Sequence, residues 1–448
     1  MTGWRRLCIA SKRSTSSRPV SANDTEVDGR LLTERRERAY LVGLSGLPEF
    51  GDWPAEVSLE ELARLVDTAG ADTAGRTTMH VRRAHPATLL GAGQLDVVVA
   101  AAKADAADVI VLDGDLLPRQ QRNLERAFGG KVLDRTAVIL DIFAARAHTV
   151  EGRLQVERAQ LEYLLPRLSE LWVRFSRQRG GIGPFRGPGE TQLETDRRLY
   201  RDRISALERR LEEVRLRRGG RRQRRRDAGL LVGALIGYTN AGKSTLLNVL
   251  TGATAHAEDK LFATLDPTTR RLEFVGGGVM LLTDTVGFIQ RLPTRLVTAF
   301  RATLEEALEA QVLIHVVDLA SPDFRRQVAV VEETLDTIGV GPRPVITVLN
   351  KIDVAPPPDL SAFPNAVAVS ARTGAGLADL RAQLALAVRS AGVQVEVSIP
   401  YAQGELVDLF HQQGTVTVES HEPGGTRIRG TLPPELMPRF RRFRAGVA

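Results

Sequence analysis

The sequence predicts an α/β protein made of several domains, and three features lead to that prediction. Short apolar runs alternate with stretches of helical apolar spacing over residues 38–149 and again over residues 229–390. Alternation of this kind is typical of mostly parallel sheets with helices on both faces. Between these regions, apolar residues recur at spacings of four and three, which indicates a long paired helix. We therefore expect two α/β domains, a helical hairpin over residues 150–226 and a small α+β domain over residues 395–448.

Composition excludes several classes of protein. The chain has 448 residues, of which 43% are hydrophobic and 26% charged, as is usual for soluble globular proteins. No apolar stretch approaches the length of a membrane-spanning helix, so we expect no membrane span. Cys8 is the only cysteine, which rules out an intrachain disulfide and fits a reducing compartment. These properties predict a cytoplasmic protein, which we expect to be monomeric.

The N-terminal segment, residues 1–37, is expected to be disordered or weakly ordered. Residues 1–23 contain several basic residues and serines and no acidic residue. This composition is typical of an organelle transit peptide, which would place the protein in mitochondria, and equally of a disordered bacterial tail. The two interpretations stay open at this point.

The first α/β domain, residues 38–149, contains three apolar runs typical of strands and three stretches of helical spacing. The strand-like runs are Tyr40–Leu44, Val109–Leu112 and Lys131–Leu133, and the helical stretches are Ser58–Thr68, Leu95–Ala104 and Pro118–Phe128. Gly91 and Gly93 lie just before a helix, where we interpret them as a tight turn and not as a phosphate-binding loop.

The hairpin region carries most of the positive charge. Leu154–Phe175 and the stripe that begins at Tyr200 predict two helices, with Pro166 kinking or ending the first. The glycine-rich segment Gly180–Gly189 between them is predicted to be an irregular tip, and Arg215–Arg226 a flexible linker. Leu171–Arg226 holds eighteen arginines against seven acidic residues, a local balance of +11 in a chain of net charge +7. A polyanionic partner such as nucleic acid explains this excess, and a solvated helical face is the alternative.

The second α/β domain opens with a strand, a glycine-rich loop and a helix. Strand-like runs occur at Leu230–Ile236, Val279–Thr283, Val312–Val317, Pro344–Leu349 and Ala366–Val369. The loop after the first run reads Gly237-Tyr238-Thr239-Asn240-Ala241-Gly242-Lys243-Ser244. Backbone N–H groups of such a loop surround phosphate oxygens, and the following helix N-terminus adds its dipole. We expect Lys243 to reach the β- and γ-phosphates and Ser244 to hold Mg²⁺.

A second segment distinguishes guanine from adenine nucleotides. Asn350-Lys351-Ile352-Asp353 ends a predicted strand downstream of the loop. An aspartate carboxylate accepts two hydrogen bonds from guanine, and adenine lacks that pair of donors. Asn350 is expected to bond the base edge, and Lys351 to lie under the base plane. Ser370-Ala371-Arg372 is expected to steady the guanine through backbone amides. The order of these segments predicts a GTP-binding protein.

Two further segments lie between the loop and this base-binding motif. In Asp284-Thr285-Val286-Gly287, Asp284 is expected to hold Mg²⁺ through water, and the Gly287 amide to sense the γ-phosphate. The segment Phe262-Ala263-Thr264-Leu265-Asp266-Pro267-Thr268-Thr269 should supply a threonine that completes the magnesium shell when GTP is bound. We favour Thr264, with Thr268 second.

The catalytic set lacks one familiar residue. Phe288 occupies the position where many GTPases carry a water-orienting glutamine. A phenyl ring cannot orient water by hydrogen bonding, so hydrolysis is expected to be slow without a partner or an extra cation. The catalytic residues that remain are Lys243, Thr264, Gly287 and Asn240. Asn240 is expected either to ligate K⁺ beside the phosphates or simply to cap the turn.

With these residues identified, the chain resembles the HflX family of translational GTPases, within the TrmE–Era–Obg group. The most specific string lies outside the GTPase domain and runs from Arg186, Gly187 and Pro188 through Glu190 to Arg197 and Arg198. The hydrophobic residue at Phe288 and the asparagine at Asn240 are also similar to the family pattern. Pro184-Phe185 stands where we expect a single residue, so the tip departs from that pattern.

The resemblance implies binding to the large ribosomal subunit and its RNA. It further implies that GTP favours the splitting or rescue of stalled or idle ribosomes. RNA contacts are then expected from Arg186, Gly187, Arg197 and Arg198. Two other functions stay open: a GTP-dependent ribosome-assembly chaperone, and a GTPase subunit of a tRNA-modifying complex, which the lone Cys8 disfavours.

Overall fold

The structure is a computed structural model. The statements that follow concern only the residues that it describes. These are residues 35–50, 53–168, 188–227, 230–253, 260–274, 278–291, 293, 296, 301–357, 363, 365–390, 393–432 and 436–444. They do not include residues 1–34 of the expected N-terminal tail. They also do not include the tip residues 180–187, among them Arg186 and Gly187. The chain forms two compact units: residues 1–208 with 291–299, and residues 209–290 with 300–448. The domain boundaries proposed from the sequence stay predictions.

The first unit contains a four-stranded parallel sheet in the order β2-β1-β3-β4. Its strands are β1 (Arg38–Ser45), β2 (Asp72–His80), β3 (Val109–Leu112) and β4 (Lys131–Asp134). Its first helices are α1 (Ala55–Thr68), α2 (Ala92–Ala104), α3 (Pro118–Phe128) and α4 (Arg135–Arg146). All four residues of β3 are buried, as a central parallel strand covered by helices requires. The predicted α/β domain is confirmed, with β2 and α4 as additions.

Two helices follow, α5 (Val150–Leu164) and α6 (Pro188–Asp227). Ion pairs between Glu157 and Arg203 and between Arg158 and Glu208 join them. Leu207, in the predicted apolar stripe, is fully buried. Pro166 lies in a short 3-10 turn directly after α5, as expected of a residue that cannot continue a helix.

The predicted flexible linker is wrong, because α6 continues through Arg215–Arg226 and spans 40 residues. Arginine is a good helix former. Arg215 also pairs with Glu212, and Arg217 with Glu213, at helical spacing. The prediction of an irregular tip is likewise wrong at Pro188 and Gly189, because the helix begins at these two residues. Proline is tolerated in a first helical turn.

The second unit contains a six-stranded sheet in the order β10-β9-β8-β5-β7-β6, parallel except for β6. The strands are β5 (Leu231–Gly237), β6 (Thr268–Glu273), β7 (Val279–Asp284), β8 (Val312–Asp318), β9 (Val345–Asn350) and β10 (Ala366–Ala368). The helices are α7 (Lys243–Thr251), α8 (Arg301–Glu309), α9 (Phe324–Ile338) and α10 (Leu377–Ser390). Its apolar core includes Leu235, Leu246, Ile314 and Val348. The carboxyl ends of its parallel strands bring the sequence motifs to one edge.

A three-stranded antiparallel sheet in the order β11-β13-β12 completes this unit. Its strands are β11 (Val393–Ile399), β12 (Thr415–Glu422) and β13 (Gly425–Leu432). Two helices accompany the sheet, α11 (Gly404–Gln413) and the short α12 (Met437–Phe440). Phe410 and Phe440 meet edge to face in its core. Within the described ranges, no helix is both long and apolar enough to span a membrane.

Candidate functional site

The glycine-rich loop makes a tight turn between β5 and α7. Gly237 has φ of +147°, and a Cβ on it would lie 2.2 Å from the Val316 carbonyl oxygen, so only glycine fits. Asn240 and Gly242 have φ of +62° and +93°, and α7 begins directly afterwards at Lys243. This succession of a buried strand, a turn and a helix N-terminus is the geometry that binds phosphate oxygens. The loop predicted from sequence therefore has the required shape.

Lys243 lies over this loop and is almost fully buried. Its Nζ donates to the carbonyl oxygens of Gly237 at 3.1 Å and Tyr238 at 2.8 Å. Burial lowers the pKa of the Lys243 ammonium to about 8, although the Asp284 carboxylate opposes the shift.

Three side-chain oxygens meet beside the lysine. The Ser244 hydroxyl lies 2.8 Å from the Thr264 hydroxyl, and both donate to Oδ2 of Asp284, at 2.7 and 2.9 Å. The other oxygen, Oδ1, is buried and has no hydrogen-bond partner within the described part of the chain. Burial raises the pKa of Asp284, against the opposing effects of Lys243 and the two hydroxyls. Hydroxyl and carboxylate oxygens so close together form a donor set that suits a hard cation.

The rival threonine, Thr268, is placed differently from Thr264. Thr268 is exposed and begins strand β6, where it pairs with Asp284 across the antiparallel ladder. Thr264 is held in place by apolar neighbours in sequence, since Phe262 and Leu265 are buried. Ala263, between them in sequence, and Asp266, directly after Leu265, are half-buried. The geometry thus favours Thr264 over Thr268.

The segment Asp284–Gly287 leaves β7 and is fastened to the loop. Thr285 is buried and its hydroxyl donates to the Leu235 carbonyl at 2.6 Å, while Val286 is buried beside it. A Cβ on Gly287 would lie 2.8 Å from the Thr239 Cα and 3.0 Å from the Lys243 Nζ. Glycine is required here because the backbone passes directly against the phosphate loop.

Phe288 continues this attachment through its backbone. Its N–H donates to the Gly237 carbonyl at 3.0 Å, and its carbonyl accepts from the Thr239 N–H at 2.7 Å. The ring is 1% exposed. The side chain at the usual water-orienting position is therefore packed in the interior.

The base-binding motif forms a second cluster at the ends of β9 and β10. The Asp353 carboxylate accepts from the Ser370 hydroxyl at 2.6 Å and pairs with Arg372 at 2.7 Å. The Ser370 hydrogen bond is the main cause that lowers the pKa of Asp353, and Arg372 adds to it. The carboxylate is therefore ionised at neutral pH.

Asn350 and Lys351 are placed differently from each other. The Asn350 amide donates to the Ala241 carbonyl at 2.8 Å and accepts from the Ala371 N–H at 3.0 Å, so it ties the phosphate loop to the base-binding loop. The expected contact of Asn350 with the base edge stays a prediction. Lys351 pairs with Asp318 at 2.7 Å, and Ile352 bonds the Val369 carbonyl through its N–H.

Two features of the site were absent from the sequence reasoning. The Tyr238 phenol accepts a hydrogen bond from the Gln290 N–H at 2.8 Å, which links the phosphate loop to the residues after Phe288. His315 in β8 is buried, and burial together with Lys243 lowers its pKa to about 4. A polar residue inside the apolar run Val312–Val317 was the available signal for His315. Nothing in the sequence marks the contact with Gln290.

Of the residues expected to contact RNA, Arg197 and Arg198 lie in α6. Arg198 is 83% exposed, and Arg197 is half-buried. The expected contacts themselves stay predictions.

Three family models match consecutive parts of the chain. They are described as GTP-binding GTPase N-terminal, at residues 56–144, GTP-binding GTPase Middle Region, at 146–225, and 50S ribosome-binding GTPase, at 232–351. The GTPase HflX of Lacrimispora saccharolytica is 46% identical over 409 residues, which cover 90% of this chain and 96% of that protein. The chain belongs to the HflX family. The HflX GTPase of Escherichia coli is 44% identical and is aligned over 82% of this chain and 88% of its own length.

Membership of the HflX family identifies the reaction as GTP hydrolysis, and confirms the resemblance drawn from the sequence. A solved structure described as SsGBP in complex with GDP is similar at a TM-score of 0.45 and 25% identity, covering 79% of this chain and 98% of that chain. In this HflX GTPase, the phosphate loop, the Asp284 segment and the Asp353 cluster lie in one unit, linked by the hydrogen bonds of Asn350 and Phe288.

Proposed function

We propose that this HflX GTPase binds the large ribosomal subunit and couples GTP binding and hydrolysis to the splitting or rescue of stalled or idle ribosomes. The observation that carries the proposal is helix α6, which is 40 residues long and so extends about 60 Å. Seven of its described arginines are exposed: Arg198, Arg201, Arg203, Arg209, Arg210, Arg215 and Arg217. The matching family model described as 50S ribosome-binding GTPase supports the same partner.

The arginines of α6 are suited to a phosphate backbone. Several form exposed pairs on the helix, such as Arg201 with Glu194 and Arg217 with Glu213. Exposed pairs of this kind contribute little to stability, so a phosphate can replace the carboxylate at small cost. Arginine also binds phosphate oxygens through two N–H groups at once.

At the nucleotide site, we propose that Mg²⁺ accompanies the nucleotide. The donor set fits, because Ser244, Thr264 and Asp284 are already together and Oδ1 of Asp284 has no partner among the described residues. Ser244 and Thr264 would bind Mg²⁺ directly, and Asp284 through water. The ion would neutralise charge that develops on the phosphates. Lys243 and the Gly287 amide would hold the transferred phosphate.

We propose that guanine is recognised by Asp353. Its two oxygens, now bonded to Ser370 and Arg372, would accept from the two N–H groups of guanine. Arg372 is 76% exposed, so it can leave this pair easily. The Ser370 hydrogen bond would keep the carboxylate oriented.

We expect hydrolysis to be slow in the isolated protein, because the Phe288 ring is packed in the interior and cannot orient water.

Two roles are open for Asn240. Its backbone is left-handed, a conformation that asparagine tolerates well, and this agrees with the turn-capping role. The second interpretation is that Asn240 ligates K⁺ beside the phosphates. A comparison of GTP turnover in potassium and in sodium, with and without large subunits, separates the two roles.

Sedimentation of intact ribosomes tests the proposed function. Incubation with the protein and a non-hydrolysable GTP analogue should convert the ribosome peak into subunit peaks, and GDP should not. If the protein sediments only with immature large-subunit particles and leaves intact ribosomes unchanged, it is an assembly chaperone.

A charge-reversed helix provides the matched variant. The double variant Arg209→Glu/Arg210→Glu should bind large subunits about tenfold more weakly. Its affinity should also depend less on salt, with the negative slope of log affinity against log salt shallower by about two. The control is Arg325→Glu with Arg326→Glu on the exposed surface of α9. Equal losses in both double variants would mean that overall charge, and not α6, determines binding.

A further inference from the structure

The side chain of Tyr238 connects two parts of the nucleotide site. Tyr238 is the second residue of the phosphate loop, and its carbonyl accepts from the Lys243 Nζ at 2.8 Å. The residue is buried, and its phenol oxygen accepts from the Gln290 N–H at 2.8 Å. All of these residues belong to the second unit. Tyr238 therefore contacts Lys243 through its backbone and the segment after Gly287 through its side chain.

The segment after β7 contains one more residue than the chain that it faces. Leu235 of β5 pairs with Asp284 of β7, and Tyr238 pairs with Phe288, both in parallel. Three steps along the chain from Leu235 therefore correspond to four steps from Asp284. An extra residue of this kind forms a bulge, which bends the chain and leaves part of the ladder unpaired. Gly287 lies between the two pairs, where the extra residue is accommodated.

The backbone hydrogen bonds that close the bulge belong to Phe288. Its N–H donates to the Gly237 carbonyl at 3.0 Å, and its carbonyl accepts from the Thr239 N–H at 2.7 Å. Both bonds are made by one residue, so they fix Phe288 itself more closely than the direction of the chain beyond it. The hydrogen bond from Gln290 to the Tyr238 phenol lies two residues further on and fixes that direction.

Gly287 has little room in which to move. A Cβ on it would lie 2.8 Å from the Thr239 Cα and 3.0 Å from the Lys243 Nζ. A small rotation of the segment would therefore change the distance from the Gly287 N–H to a phosphate bound at Lys243. Hydrogen bonds weaken steeply when their angle or distance leaves the preferred range. A γ-phosphate contact of Gly287 thus depends on the direction of this segment.

We propose that Tyr238 is a positioning residue for GTP hydrolysis. Its phenol fixes the direction of the segment Phe288–Gln290 and thereby holds the Gly287 N–H at the γ-phosphate. The inference rests on the proposed role of Gly287. GDP has no γ-phosphate, so loss of the phenol hydroxyl should affect GTP turnover and the binding of triphosphates, and should leave GDP binding in place.

Tyr238→Phe removes one oxygen atom and keeps the ring. In the full chain, kcat for GTP should fall about fivefold to tenfold, and affinity for a non-hydrolysable GTP analogue about threefold. GDP affinity should stay within about twofold of the wild type, because the backbone carbonyl that accepts from Lys243 is kept. A change that only loosened the fold would weaken the binding of both nucleotides equally. Equal losses for the analogue and GDP, or an unchanged kcat, would overturn the inference.

Tyr163→Phe is the matched control. Tyr163 is another buried tyrosine, in the first unit, and its phenol donates to Oδ1 of Asp134 at 3.0 Å. Its loss should lower the melting temperature at least as much as Tyr238→Phe does, because a hydrogen bond to a buried carboxylate is removed. The rate kcat and the ratio of analogue to GDP affinity should stay as in the wild type. An equal fall of kcat in both variants would mean that stability, and not the position of Gly287, causes the loss.

A double-mutant cycle distinguishes the inference from the role on which it rests. Gly287→Ala should lower turnover by itself, because a Cβ there would crowd Thr239 and Lys243. Adding Tyr238→Phe to it should cause little further loss, since residues that act as a unit are not additive. Losses that multiply would mean that Tyr238 acts independently of Gly287, and the inference would be wrong. If Gly287→Ala has normal turnover, the role of Gly287 is wrong and the inference fails with it. If Gly287→Ala lowers turnover and Tyr238→Phe does not, only the inference about Tyr238 is wrong.

Discussion

The ionisation of Lys243 makes nucleotide affinity depend on pH near neutrality. In the free protein, burial lowers the pKa of this ammonium to about 8. An ordinary lysine, with a pKa near 10.4, would stay charged throughout the neutral range. Because the β-phosphate pairs with the charged form, nucleotide binding should raise this pKa again, and the protein should take up a proton when GDP binds above about pH 7.

The size of the effect follows from the pKa of the free protein. With a pKa of about 8, about 90% of the free protein carries the proton at about pH 7, and about 25% at about pH 8.5. GDP affinity should therefore fall about fourfold over this interval, and proton uptake should rise from about 0.1 to about 0.75 per site. Calorimetric titration in two buffers of different ionisation enthalpy measures both quantities.

Controls identify the titrating group. Lys243→Met should bind GDP weakly and without proton uptake. Asp284 also has a raised pKa, and an anionic nucleotide beside it would likewise favour its protonated form, so Asp284 is the other group to test. If Lys243 is the titrating group, the uptake should persist in Asp284→Asn. Affinity that is constant between about pH 7 and about pH 8.5, with no proton uptake, would refute the assignment of a lowered pKa to Lys243.

Three further predictions concern single side chains. Asp353→Asn should weaken GTP binding by about two orders of magnitude and favour xanthosine triphosphate, as competition titrations can measure, and unchanged selectivity would contradict the role of Asp353. Thr264→Ala should raise the Mg²⁺ concentration needed to bind a non-hydrolysable GTP analogue about tenfold, whereas Thr268→Ala should not; the reverse ranking would reassign the metal ligand. His315 has a pKa of about 4 in the folded protein and of about 6.5 in the unfolded chain. Between these pH values only the unfolded chain binds the proton, so acidification favours unfolding. The free energy of unfolding should therefore fall by about 2 kcal/mol between about pH 7 and about pH 5. His315→Gln should remove that part of the pH dependence in denaturant titrations, and an unchanged slope would mean that His315 does not titrate as described.

The sequence predicted the central strands well because they are apolar and bounded by turns. Val109–Leu112 and Pro118–Phe128 agree with the structure to the residue. The missed strands β2 and β6 are sheet edges, and their largely exposed sequences lack the apolar runs that mark covered strands. The missed helix α4 is buried over most of its length, so its apolar residues show no helical period.

The candidate site was predictable as far as its motifs extend along the chain. The loop Gly237–Ser244 and Asp353 were identified from residue type and order, which determine their positions at strand ends. Contacts across the fold were not predictable in this way. The clamp of Asn350 between Ala241 and Ala371 depends on how strand ends meet, and so does the bond from Gln290 to Tyr238.

The meeting of Ser244, Thr264 and Asp284 has a consequence for how the protein changes state. Ser244 and Thr264 both donate to the same carboxylate oxygen of Asp284, so the loop that carries Thr264 is tied to α7 and to the end of β7. Binding of Mg²⁺ would then replace the hydrogen bonds of Ser244 and Thr264 to Asp284 by contacts with the ion, and would not have to order a flexible loop. Such exchange should lower the entropic cost of ordering.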